Sequence, residues 1–247
     1  MTLLMWLRSA LFNLFFYVWT GLVAVLMLPV LLLPRTVGPV AARLWIGGVN
    51  VALRVICGVK VEVKGRHHLP DGPVLIAAKH QSAWDTIALL HICGMPGVVL
   101  KRELTWIPFY GWYILAMRNI PIDRSAGARA LKDMVRRAKA IVADGRAVMI
   151  FPQGTRVAPG DKVPYQPGVA ALYAQLGVPC VPVALNSGLV WPRRAFRRPP
   201  GTITVEFLAP IPPGLRREPF MTTLEARVEA ASDALVAVAR RPQDLAS

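Results

Sequence analysis

Acidic side chains are in short supply in this sequence. Asp and Glu number 14 against 29 Lys and Arg, giving a formal net charge of +15. Such an excess points to an anionic partner, of which nucleic acid and anionic lipid are the two common kinds. Cysteine is scarcer still. Cys57, Cys93 and Cys180 lie far apart, and none is paired at metal-ligand spacing. An odd, scattered set argues against a disulfide framework and gives no reason to expect a metal site; the three read as small buried apolar residues. No internal repeat and no low-complexity linker interrupts the 247 residues, a length suited to one domain with a small appendage.

Charge is missing altogether between Arg8 and Arg35. Residues 9–34 read SALFNLFFYVWTGLVAVLMLPVLLLP. A bilayer span needs roughly 20 apolar residues, and this run is long enough. A cleaved signal would have a shorter apolar core ending in small residues, whereas this one ends in LLLPR. Trp6, Phe15, Phe16, Tyr17 and Trp19 crowd its first part, as in an interfacial belt. Residues 37–59 are also apolar but carry Arg43 and Arg54, which predicts a second, more amphipathic helix. The two helices can span the membrane or lie in one leaflet. Residues 1–58 are therefore expected to be membrane-anchoring helices. The apolar segment favours lipid over nucleic acid as the anionic partner. The basic remainder predicts that residues 59–247 sit on the cytoplasmic side of the cell (inner) membrane.

Beyond residue 59 the pattern changes. Short β-rich runs occur at 61–63, 74–78, 98–100, 147–151, 180–185 and 203–207. Helical periodicity is clearest over 126–143, where Leu131, Met134, Val135, Ala138, Ile141 and Val142 share a face opposite Arg129, Lys132, Arg136 and Arg137. Ser125 is placed to cap its start and Gly145 its end. A last helix over 224–240 is expected to open on a Thr222/Glu225 capping box. Alternating strands and helices predict an α/β fold, a central and mostly parallel sheet flanked by helices.

Four blocks carry chemistry. The first, Ala78-Lys79-His80-Gln81-Ser82-Ala83-Trp84-Asp85, follows the apolar run 74–78. His is the natural general base near neutral pH, and a carboxylate can fix its tautomer. On one continuous helix, positions five apart do not meet. They can meet if His80 lies in the strand-to-helix turn and Asp85 in the first helical turn. The second block runs from Lys101 through Pro108-Phe109-Tyr110-Gly111 to Ile120-Pro121-Ile122-Asp123-Arg124. It ends in an Arg before a helix, a setting that suits phosphate. The third, Phe151-Pro152-Gln153-Gly154-Thr155-Arg156, puts a glycine, a hydroxyl and an Arg in one turn after a strand. The fourth is Val178-Pro179-Cys180-Val181-Pro182.

In this order and spacing the blocks resemble those of the glycerolipid acyltransferase family, over about residues 63–186. The resemblance implies a glycerolphosphate acyltransferase-like fold. It implies an enzyme that moves an acyl group from a thioester, acyl-CoA or acyl carrier protein, to the sn-2 hydroxyl of 1-acylglycerol-3-phosphate (lysophosphatidic acid), giving phosphatidic acid. His80 would be the base and Asp85 its orienting carboxylate. Arg124 and Arg156, with Lys101, would hold the acceptor phosphate beside Gly154 and Thr155. No metal or cofactor is implied beyond the co-substrate. Two positions depart from the family pattern. Gln153 stands where Glu is usual, so no mechanism can need a carboxylate there. Arg118 stands where Gly is common and is expected to narrow or recharge the acceptor site. Alternatives are another acceptor, such as lyso-ornithine lipid or glycerol-3-phosphate, or a basic membrane-tethered binding module without catalysis. Such a module would explain the charge but not the His80/Asp85 pair.

Overall fold

A computed structural model describes residues 3–33 and 38–240. Residues 34–37, where the apolar run ends and the second helix was expected to start, lie outside them. The chain opens with α1 (Leu3–Leu26), a short 3-10 turn at Leu28–Leu32 and α2 (Gly38–Cys57). Both helices are long and apolar enough to cross a membrane. They form a hairpin whose indoles bond across it: Trp19 Nε1 donates to the Trp45 carbonyl at 3.1 Å and Trp45 Nε1 to Thr20 Oγ1 at 3.0 Å. Gly48 permits that approach, since a Cβ there would lie 2.3 Å from the Trp19 ring.

The rest alternates: β1 (Val59–Lys64), β2 (Leu75–Ala78), α3 (Ala83–Ile92), β3 (Gly97–Lys101), α4 (Tyr110–Ala116), β4 (Ile120–Ile122), α5 (Gly127–Ala143), β5 (Val148–Ile150), α6 (Gly168–Leu176), β6 (Cys180–Leu185), β7 (Gly201–Phe207) and α7 (Arg217–Arg240). Among the described residues the strands form one seven-stranded sheet in the order β1-β7-β6-β2-β5-β3-β4. Pairing is parallel throughout except between β6 and β7. The expected mostly parallel α/β sheet is therefore present.

The inner strands are buried along their whole length, as apolar runs without alternation require. Each sheet face has its own core. One is filled by α1, α2 and α3, with Phe12, Ile46, Leu53, Trp84 and Phe207 fully buried. The other is filled by α5, α6 and α7, with Met134, Tyr173, Phe220 and Leu224. The N-terminal helices thus share a continuous core with the sheet.

Three local expectations need correction. Ser125 does not cap α5; its N–H and hydroxyl donate to Asp123 Oδ1, and α5 begins without a side-chain cap. Gly145 does lie just past that helix with φ +76°, as a C-terminal glycine should. The last helix begins at Arg217, not near Thr222, so Thr222 and Glu225 are interior residues. The packing of Phe220 into the core explains the extra turn. β4 was missed because three residues with a central proline give no period; at the sheet edge the absent N–H is tolerated.

Candidate active site

β2 points its C-terminal end at the turn that carries the first block. Lys79 N–H still donates to the Val183 carbonyl of β6 at 2.9 Å, so the strand pairing runs one residue past β2. His80 lies in the turn, and its carbonyl accepts from Val157 N–H at 2.8 Å. Ser82 then caps α3, its hydroxyl accepting from Trp84 N–H at 3.1 Å. Asp85, in the first turn of α3, accepts from Ser82 N–H at 2.8 Å and Gln81 N–H at 2.7 Å. A capping box thus fixes the carboxylate. The same oxygen lies 2.9 Å from His80 Nδ1. The other oxygen accepts from the Ser187 hydroxyl. Asp85 is fully buried, and every contact it makes uses it as an acceptor. With Nδ1 engaged, Nε2 is the ring nitrogen left to meet a substrate. Phe151 stacks on the imidazole at 4.2 Å between centroids and holds it from the other side.

A cavity of about 1130 Å³ lies against His80. Its lining divides by chemistry. Val23, Ala42, Ile46, Leu90, Val98 and Ile114 make an apolar wall from α1, α2, α3, β3 and α4. Lys101, Arg124, Thr155, Arg156 and Arg193 supply the polar part. Gly154 has φ +68°, and a Cβ there would come within 3.7 Å of the Arg124 guanidinium carbon, so the second and third blocks meet at this glycine. Arg193 donates to the Arg156 carbonyl at 3.1 Å. Lys101 is more peripheral, half exposed and 3.2 Å from Glu103. His80, Lys101, Arg124, Gly154, Thr155 and Arg156 therefore line one cavity, and Asp85 stands behind His80.

Arg118 does not fulfil its expectation. It is not in the cavity lining; its guanidinium pairs with Asp144. Its φ of +55° gives a physical reason for glycine at this position, since only glycine adopts that conformation without steric cost.

Sequence reasoning missed a second cluster. The Lys79 ammonium, nearly buried, lies 2.6 and 2.8 Å from the carboxylate oxygens of Glu229 on α7. Tyr165 donates to Glu229 at 2.8 Å, and Gln153 Nε2 at 3.4 Å. Burial first, and then the Glu229 charge, push the Tyr165 phenol up, so it stays a neutral donor. Gln153 also accepts from His80 N–H, at 3.5 Å. Its amide bridges the His80 turn to Glu229, a task for which both a donor and an acceptor are useful. Glu229 and Ser187 lie 150 and 102 residues from their partners, and neither has a local sequence signal.

The sequence model of the acyltransferase family matches residues 60–186, which holds all four blocks. The chain belongs to this acyltransferase family. It is similar to the 1-acyl-sn-glycerol-3-phosphate acyltransferase of Pseudomonas aeruginosa, 39% identical over 62% of this chain and 59% of that one. It is likewise similar to the enzyme of that name from Limnanthes alba, 31% identical over 77% of this chain and 67% of that one. The chain thus spans about three fifths of the length of the Pseudomonas relative. In fold, it resembles the crystal structure of the 1-acyl-sn-glycerophosphate (LPA) acyltransferase of Thermotoga maritima, with a TM-score of 0.75 at 22% identity over 93% of this chain and 96% of that one. The acyltransferase fold thus covers the N-terminal helices as well as the family segment.

Proposed function

We propose that this acyltransferase-family protein transfers a fatty acyl group from a thioester to the sn-2 hydroxyl of 1-acylglycerol-3-phosphate, giving phosphatidic acid for phospholipid synthesis. The observation that carries the reading is the His80–Asp85 pair facing a cavity that is apolar on one side and cationic on the other. The relatives' names supply the acceptor.

In this reading the acceptor phosphate lies against Arg124 and Arg156, with Lys101 nearer solvent, and Gly154 and Thr155 shape the turn beside it. His80 Nε2 takes the hydroxyl proton as the oxygen attacks the thioester carbonyl carbon. Asp85 holds the ring and stabilises its charged form. The tetrahedral intermediate collapses, the C–S bond breaks, and the thiolate leaves with the proton from His80. The thioester arrives already activated, so the step calls for neither a metal nor a covalent acyl-enzyme. Acyl-CoA and acyl carrier protein fit this chemistry equally. The basic surface and the apolar α1 support a location at the cytoplasmic face of the inner membrane in this reading.

The test is thioester turnover by purified protein against a panel of lyso-acceptors, with products identified by mass spectrometry. Phosphatidic acid from 1-acylglycerol-3-phosphate is expected, with product from His80→Ala lowered at least about a hundredfold. Preference for an acceptor without phosphate would move the substrate assignment to a lipid such as lyso-ornithine lipid. No thioester consumption with any acceptor would overturn the catalytic reading.

A further inference from the structure

Two sets of exposed apolar side chains, far apart in sequence, flank the cavity. Along α1, Leu7, Leu11, Leu14, Val18, Leu22 and Val25 are all exposed, at spacings of three and four residues. They form one stripe on the helix, on the side away from the core. The second set lies in residues 102–115, where Trp106, Ile107, Tyr110, Trp112 and Leu115 are exposed within ten positions. Trp106 is 65% and Trp112 50% exposed, a waste of apolar surface for a segment facing water. The sets are neighbours in space. Tyr113 of α4 donates to the Ala24 carbonyl of α1 at 3.1 Å. Thr20 and Ala24 from one set's helix, and Ile107 and Tyr110 from the other segment, line the same cavity.

We propose that the 102–115 lobe is a second membrane-contacting surface, which sets Trp106, Trp112 and Leu115 into the interfacial layer of an anionic bilayer beside the α1 stripe. Trp prefers that layer, where its ring meets acyl chains and its N–H stays near water. Arg102, paired with Asp123 at 2.9 Å, also lies over the Trp106 ring at 5.7 Å, which puts a polar, partly neutralised group beside that indole. The chain's charge of +15 favours anionic lipids. Contact on both sides of the cavity lets a lipid acceptor and its product pass between bilayer and site with little of their apolar length in water. The inference rests on the membrane reading of α1.

The test uses the full chain with an environment-sensitive fluorophore on an introduced cysteine. The three native cysteines are buried and stay unlabelled. Leu14→Cys reports on α1, Trp112→Cys on the lobe, and Asp233→Cys on α7, which packs on the opposite sheet face. Each is added to vesicles of phosphatidylglycerol and phosphatidylethanolamine with or without brominated acyl chains. The expected result is a blue shift and bromine quenching at 14 and 112 and neither at 233. A label at 14 in lipid with 112 in water would overturn the proposal and leave the membrane reading intact. Water at both positions would overturn both. As a functional arm, Trp106→Ala/Trp112→Ala is expected to lower turnover of vesicle-borne acceptor about tenfold. Turnover of a dispersed short-chain acceptor should stay within about twofold, because neither Trp lines the cavity. Equal loss on both acceptors would count against a membrane role.

Discussion

Lys79 and Glu229 are 150 residues apart, yet the ammonium sits between the two carboxylate oxygens at 2.6 and 2.8 Å. The pair ties the end of β2, one residue before His80, to the middle of α7. A buried charge left without its partner costs about 3–5 kcal/mol, while removing both partners costs far less. Lys79→Met and Glu229→Gln are each expected to lower stability by about that amount. The double variant Lys79→Met/Glu229→Gln should recover most of it. Denaturant titration of the four proteins gives the coupling energy. Additive losses would mean that the pair is not energetically coupled.

Gln153 makes a second prediction, against intuition from the family pattern. Restoring the usual carboxylate, Gln153→Glu, puts an acceptor where the Gln153 amide now donates to Glu229. Like charges then face each other across 3.4 Å in a nearly buried site. A loss of about 1–3 kcal/mol in stability is expected, with a parallel fall in activity. The combination Gln153→Glu/Glu229→Gln should relieve the like-charge repulsion, leaving the cost of the Lys79 ammonium without its Glu229 partner. Wild-type behaviour of the single variant would mean that Glu229 is not the deciding neighbour of this position.

Replacing His80 should remove the base without harming the fold, since its side chain is near the surface of the cavity. His80→Ala is expected to cost at least about 10²–10⁴ in kcat. Asp85→Asn is expected to be as severe, because an amide, though able to accept from part of the four-donor set around Asp85, cannot stabilise the imidazolium as a carboxylate does. Ser187→Ala removes one donor of that set and should cost about 1 kcal/mol, a severalfold loss in kcat with the acceptor's KM unchanged. Steady-state kinetics on circular-dichroism-matched proteins checks the order.

Arg124 and Arg156 line one cavity from different strand ends. If they hold phosphate, Arg124→Ala or Arg156→Ala should raise the acceptor's KM by about tenfold to a hundredfold, following a loss of about 1.5–3 kcal/mol. The donor's KM should hardly change. Lys should rescue only in part, as it lacks the planar fork. A phosphate-free acceptor, poor already, should lose little more. Equal damage with both acceptors would point to a folding defect.

Much of this was legible in the sequence because it is local. The inner strands announced themselves as apolar runs, and α5 by its period. His80 and Asp85 could be joined on paper because a turn followed by a first helical turn can bring positions five apart together, and because the family resemblance implies the pair. What stayed hidden is what the fold supplies at a distance. Glu229 looks like any charge on an amphipathic helix, and Ser187 like any loop hydroxyl. β4 and α4 are too short to show a period. Arg118 was misread because its φ, not its charge, distinguishes the position.

The attachments of α1 have a consequence for how such a protein can change. Ser9 accepts from Arg198 N–H at 2.9 Å near one end of the helix, and Ala24 accepts from Tyr113 near the other. Between them Phe12 is wholly enclosed, edge-on to Trp191 at 5.3 Å. The apolar leader is therefore no interchangeable tail. A graft of any other hydrophobic helix, equal in length and greasiness, would keep the apolar length and lose the fit. Its inward residues are held to the interior of the fold, while its outward ones carry no such constraint. The two faces of one short stretch should drift at different rates.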